Sequence, residues 1–178
     1  MEVEAVDLHA GLNIAEASMS NYVKIAERAA DWLPRPLALC GWSMGGLVAM
    51  LAADHVRPDR LVLLEPSPPA EVQGVDRSID PGPGTYDGAE AYGTFPAGIP
   101  SRPESSLARA ERKRGLSVAQ LGCPTLVVYG NEFAEERGRA VARHYVVDEL
   151  ALPGLDHWGL VLDERSREAV AARLIGSS

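Results

Sequence analysis

Three short runs, Leu37 to Cys40, Leu61 to Glu65 and Thr125 to Gly130, are almost continuous in Val and Leu, with no polar residue at every second position. A strand that shows one face to water alternates, whereas a strand covered on both faces does not need to. Such runs therefore call for a sheet with helices on both sides. Val3 to Leu8 and Val146 to Leu152 complete an expected set of five strands. Helical segments separate most of them. Ser20 to Leu33 sets Val23, Ala26, Ala30 and Leu33 on one face, Met44 to His55 is rich in Ala, Leu and Met, and Ser166 to Ile175 closes at Gly176. Strand and helix alternating this way predict an α/β fold with a mainly parallel sheet of about five strands.

The length, 178 residues, suits one domain with a sizeable core, so residues 1–178 are read as a single unit. From Pro66 to about Pro103 the chain is dense in Pro and Gly and poor in apolar residues. With a helix over Ser105 to Gly115, the stretch 66–118 is expected to form a lid or cap-like insertion. The formal charge of −8 argues against nucleic-acid and anionic-membrane partners. The basic cluster Arg109, Arg112, Lys113 and Arg114 is interrupted by Glu111 and reads as a solvated helix face. No run approaches the roughly 20 apolar residues of a membrane span, and the acidic start MEVEAVD is unlike a signal peptide, so a cytoplasmic location is expected. Cys40 and Cys123 are expected to be buried thiols, and no motif implies a metal or an organic cofactor.

The sequence GWSMGG, residues 41–46, lies between the Leu37 to Cys40 run and the Met44 to His55 helix. A serine on a sharp strand-to-helix turn is held in strained dihedrals with its hydroxyl exposed, and close backbone approach demands small residues beside it. Gly41 and Gly45 meet that demand at positions two before and two after Ser43. The Met44 N–H, at a helix start, is placed to donate to a developing oxyanion. In this setting the chain resembles the α/β-hydrolase family. The likeness runs through VEAVDLHAG, LALCGWSMGGLVAML, DRLVLLEPSPP, CPTLVVYGNE and LPGLDHWGLVLD.

The resemblance implies a Ser–acid–His order along the chain, with Ser43 as nucleophile and His157, in a loop with Gly154 and Gly159, as base. For the acid it points first to Glu132, just past the Thr125 to Gly130 strand, and second to Glu65, where some relatives carry it. Trp42 and Trp158, with Met44 and Leu155, are candidates to line a pocket for the acyl group of a small-molecule substrate. The implied function is a serine hydrolase of a small ester, thioester or amide. A same-fold acyltransferase or cofactor-free peroxidase, and a non-catalytic binding or assembly protein, are the alternatives.

One feature departs from the family pattern. Relatives place a further strand beside the nucleophile strand, and it carries the second oxyanion donor. Unpaired buried backbone groups on Leu37 to Cys40 would cost about 1–3 kcal/mol each. Upstream residues, a strand from a second copy in a homodimer, or Val3 to Leu8 sliding alongside are three ways to cover that edge. In the last case Ala10 or Gly11 would supply the second donor.

Overall fold

The computed structural model describes residues 3–93 and 95–175. The buried runs form strands β1 (Ala38–Trp42) and β2 (Arg60–Leu64), and the first helices are α1 (Met19–Ala30) and α2 (Met44–Val56). Between β2 and the next sheet strand lie α3 (Ala70–Gln73), β3 (Thr85–Asp87), α4 (Gly88–Tyr92), β4 (Pro103–Ser105) and α5 (Ser106–Arg114). Then follow β5 (Thr125–Tyr129), a π-helical stretch Ala134–Arg139, α6 (Ala140–Tyr145), β6 (Asp148–Ala151), α7 (Gly159–Leu162) and α8 (Glu164–Ile175). The sheet has four strands in the order β1-β2-β5-β6, all parallel, while β3 and β4 form a separate antiparallel ladder.

Period-two side-chain alternation sends the two central strands' residues into two cores. Leu61, Leu63, Val127 and Tyr129 meet Tyr22, Leu47, Met50 and Val141 on one face. Val62, Leu64, Leu126 and Val128 meet Leu155, Leu160, Val170 and Leu174 on the other. This double coverage is why the strands read as unbroken apolar runs.

Helix ends follow local chemistry. Ser18 caps α1 and forms a reciprocal capping box with Asn21, so the helix begins one residue earlier than its apolar period suggests. Its buried face is Met19, Tyr22, Ile25 and Ala30. Of the expected stripe, Val23 and Ala26 pack against the core as partly buried residues, Ala30 is buried, and Leu33 lies beyond the helix; Ala26, Ala30 and Leu33 also border a groove beside β1. Ser105 caps α5 by accepting from the Ala108 N–H. The expected C-cap Gly176 lies outside the described residues.

Three expectations need correction. Val3 to Leu8 is not a strand: no ladder includes it, and it forms one wall of a groove of ≈ 690 Å³ whose other wall is β1. The slid-strand solution is therefore not adopted. Its two-sided mixture of Glu4, Asp7, Val3 and Val6 gives neither a buried run nor a clean alternation. Cys40 is exposed on that same edge and Cys123 is half-buried, so the first is not a buried thiol. Glu135 and Glu136, expected to share the loop of Glu132, instead lie in the helical stretch 134–145, where His144 was expected on a helix. The stretch's Glu and Arg residues and the internal Gly138 hide the period, and a β-carbon on Gly138 would lie 2.4 Å from the Tyr129 ring.

Candidate active site

Ser43 joins β1 to α2 with φ 52° and ψ −122°, a left-handed conformation that a non-glycine residue adopts at a cost of about 1–3 kcal/mol. The turn is pinned from both sides. Ser43 N–H donates to the Leu64 carbonyl at 3.0 Å, and the Ser43 carbonyl accepts from Ser67 N–H at 2.8 Å and Gly46 N–H at 3.0 Å. The glycine requirement is only partly as expected. A β-carbon on Gly41 would lie 2.4 Å from the Gly45 carbonyl oxygen, and one on Gly46 would lie 2.7 Å from Pro66. One on Gly45 meets nothing within 4 Å, because it faces the groove beside β1. The close packing thus rests on Gly41 and Gly46. Met44 N–H, first in the helix, has no intrahelical acceptor and no partner among the described residues.

Glu65 follows β2 immediately and is also at positive φ, 38°. Its carboxylate is fully buried, with Oε1 accepting from Gly130 N–H at 2.8 Å and Oε2 lying 2.7 Å from Nδ1 of His157. A buried carboxylate without partners is costly, and this one has an acceptor role for each oxygen. An ionised Glu65 accepts a hydrogen bond from Nδ1–H and so leaves Nε2 of His157 as the free acceptor.

The histidine loop is anchored to the sheet. Leu152 N–H donates to the Tyr129 carbonyl at 2.8 Å and Asn131 N–H to the Leu155 carbonyl at 2.8 Å. A β-carbon on Gly130 would sit 2.2 Å from the Leu155 carbonyl oxygen, so glycine there permits both the loop's approach and the bond to Glu65. Aromatic rings hold the imidazole. Trp42 lies 4.6 Å from it between centroids and donates its Nε1–H to the His157 carbonyl at 3.0 Å, while Phe133 meets it edge-on at 5.1 Å. Trp158 packs on Trp42 at 4.8 Å and on Phe95 at 5.0 Å.

Glu132 occupies a different place from the one expected of the acid. It is exposed and accepts from the backbone N–H of His157 at 3.0 Å, so it holds the loop and not the ring. The ring nitrogen's partner is Glu65. Chain spacing could not separate the two, because both carboxylates reach the same residue by different atoms.

A model of the alpha/beta hydrolase family matches residues 4–173. The chain belongs to the alpha/beta hydrolase family. Solved structures of similar fold include an alpha/beta hydrolase enzyme from the metagenome of sediments of the lagoon of Mar Chica, Morocco, at 15% identity and a TM-score of 0.60, covering 96% of this chain and 75% of that one. E-2-(acetamidomethylene)succinate hydrolase is similar at 18% identity and a TM-score of 0.60, covering 93% and 77%. A thermophilic esterase from Thermogutta terrifontis is similar at 20% identity and a TM-score of 0.57, covering 89% and 72%. No curated protein sequence matches.

Within this alpha/beta hydrolase, Glu65, His157 and Trp42 are joined by direct contacts, and Ser43 is tied to the Glu65 segment through Leu64 and Ser67. Sequence reasoning passed over Phe133, Gly130 and Ser67 as parts of the site. Gly130 had a signal, a glycine directly after a buried strand; Ser67 and Phe133 had none. Ala10 N–H donates to the Asp7 carbonyl at 3.0 Å and is not free to serve an oxyanion. Among the described residues no His, Cys, Asp and Glu group could hold a metal, and no helix is long and apolar enough to cross a membrane.

Proposed function

We propose that this alpha/beta hydrolase is a serine hydrolase that cleaves a small ester, thioester or amide through an acyl-enzyme, with Ser43, His157 and Glu65 as the triad. The observation that carries the reading is the buried Glu65 carboxylate on Nδ1 of His157, which directs the basic Nε2 away from the acid. In this reading Ser43 Oγ attacks the carbonyl carbon and its proton passes to Nε2. Glu65 stabilises the imidazolium that forms. Met44 N–H donates to the oxyanion, and collapse of the tetrahedral intermediate expels the alcohol, thiol or amine with the proton from Nε2. Water then repeats the sequence on the acyl-enzyme. The chain between β2 and β5, including α5, is proposed to cover the site and contact the substrate, with Trp42 and Trp158 supporting one wall.

A fluorophosphonate probe tests the reading. It should label wild-type protein at Ser43, and labelling and p-nitrophenyl ester turnover should vanish in Ser43→Ala; turnover equal to wild type in that variant would rule the mechanism out. The open β1 edge favours a second reading, a weakly active relative that works as a binding protein, because one missing oxyanion donor lowers the rate about 10²- to 10³-fold. Folded protein that resists the probe would favour that second reading.

A further inference from the structure

The arginines of α5 do not behave as a solvated face. Lys113 and Arg114 are exposed, but Arg109 and Arg112 are half-buried, and both donate to Tyr92 Oη. Arg112 donates from one terminal nitrogen to Ser67 Oγ at 3.2 Å and from the other to Tyr92 Oη at 3.1 Å. Its Nε is buried with no hydrogen-bond partner. Ser67, fully buried, is the residue whose N–H holds the Ser43 carbonyl. Arg112 is therefore one residue removed from the serine.

Arg137 approaches from the other side. Its guanidinium carbon lies 3.8 Å above the Phe133 ring, and that ring packs edge-on against His157. Among the described residues its guanidinium has neither a hydrogen bond nor an ion pair, although the residue is half-buried. Burial, and then the charge of Arg112, lower its pKa, while Glu65 and Glu136 oppose the shift. Burial raises the pKa of Tyr92, but the Tyr86 hydroxyl, Arg112 and Arg109 outweigh it and hold the phenol below its ordinary value. Stacking on an aromatic ring offsets part of the desolvation of a guanidinium, yet two neighbouring cations with no carboxylate in an ion pair remain unfavourable. Of the two carboxylates that oppose the shift, Glu65 is engaged by His157 and Gly130, and Glu136 is exposed and forms no ion pair with Arg137.

We infer that Arg112 and Arg137 bind a carboxylate carried by the substrate, a few atoms from the carbonyl that Ser43 attacks. The substrate class is an ester or amide with one free carboxylate. Guanidinium forks suit a planar carboxylate, and in a chain of net charge −8 a local pair of unpaired cations selects an anion against the overall field. This inference rests on the serine hydrolase reading for the reaction, though not for the binding.

The test compares mono-p-nitrophenyl adipate with p-nitrophenyl hexanoate, which differ in the terminal carboxylate. The ratio of their kcat/KM values should fall about tenfold or more in Arg112→Gln and in Arg137→Gln. Arg137→Gln removes no hydrogen bond and decides the matter if Arg112→Gln fails to fold. Calorimetry with adipate on Ser43→Ala protein reads the anion site without turnover. Adipate binding that weakens at least tenfold in Ser43→Ala/Arg137→Gln supports the site even if neither ester is cleaved. Cleavage and Ser43 labelling with an unchanged ratio and no adipate binding would overturn the anion site and leave the hydrolase reading standing.

Discussion

At the carboxyl ends of β2 and β5, both oxygens of the Glu65 carboxylate are engaged, by Gly130 and His157, and the loop that carries the histidine is bonded back to β5. One strand away, the free side of β1 is unfinished. Leu37 O accepts from Asp59 N–H and Ser43 N–H donates to Leu64 O, so the odd-numbered residues of β1 face β2. Ala38, Cys40 and Trp42 therefore turn their N–H and C=O groups toward the groove, where no described residue meets them. At the opposite edge β6 carries Asp148 and Glu149, paired with Arg173 and Tyr129, and a polar edge of that kind resists unwanted strand pairing. The contrast teaches that the chemistry and the weak point of this sheet sit one strand apart, so disturbance of β1 reaches Ser43 at its end.

Four variants and one measurement press on that contrast. The largest effect is expected at the centre. Glu65→Gln offers only one acceptor for two donors, so either Gly130 N–H or Nδ1–H loses its partner and the ring's tautomer is no longer fixed. Turnover of a p-nitrophenyl ester should drop about 10⁴-fold, and a loss smaller than tenfold would remove Glu65 from the triad.

The next effect lies where β1 meets the serine turn. Gly41→Ala forces a β-carbon against backbone and should cost about 3 kcal/mol or more, seen as a lowered Tm or loss of soluble protein. Gly45→Ala points into the groove and should keep wild-type stability or gain up to about 1 kcal/mol. Equal melting of the two variants would show that a strand covers the groove in solution.

Glu132→Gln is a smaller change, since the amide oxygen still accepts from His157 N–H; turnover should fall less than about fivefold. A drop matching that of Glu65→Gln would restore Glu132 as the acid. The smallest signal is in exchange rates. Amides of Ala38, Cys40 and Trp42 should exchange faster than those of Leu39 and Gly41, and slow exchange that appears only at dimer mass would show a second copy pairing on this edge.

The alternation of unbroken apolar runs with helical segments determined the parallel α/β sheet, because a strand covered on both faces has no polar side to display. GWSMGG after such a run determined where the serine turn lies, since Gly41 leaves room that no other residue would. His157 was legible from its place in a glycine-bearing loop after the last strand. What tertiary structure alone decided is the partner of each group. Glu65 and Glu132 stand 92 and 25 residues from His157, and only the parallel pairing of β2 with β5 and the folded histidine loop bring Glu65 to the ring and Glu132 to the backbone. The same holds for Val3 to Leu8, which finds no ladder, for Arg112, which looks like a surface charge in sequence and bonds Ser67 behind the serine turn, and for Arg137, whose guanidinium stacks on the Phe133 ring beside His157. Local pattern records what a residue must bury; which atom it faces depends on contacts between segments far apart in the chain.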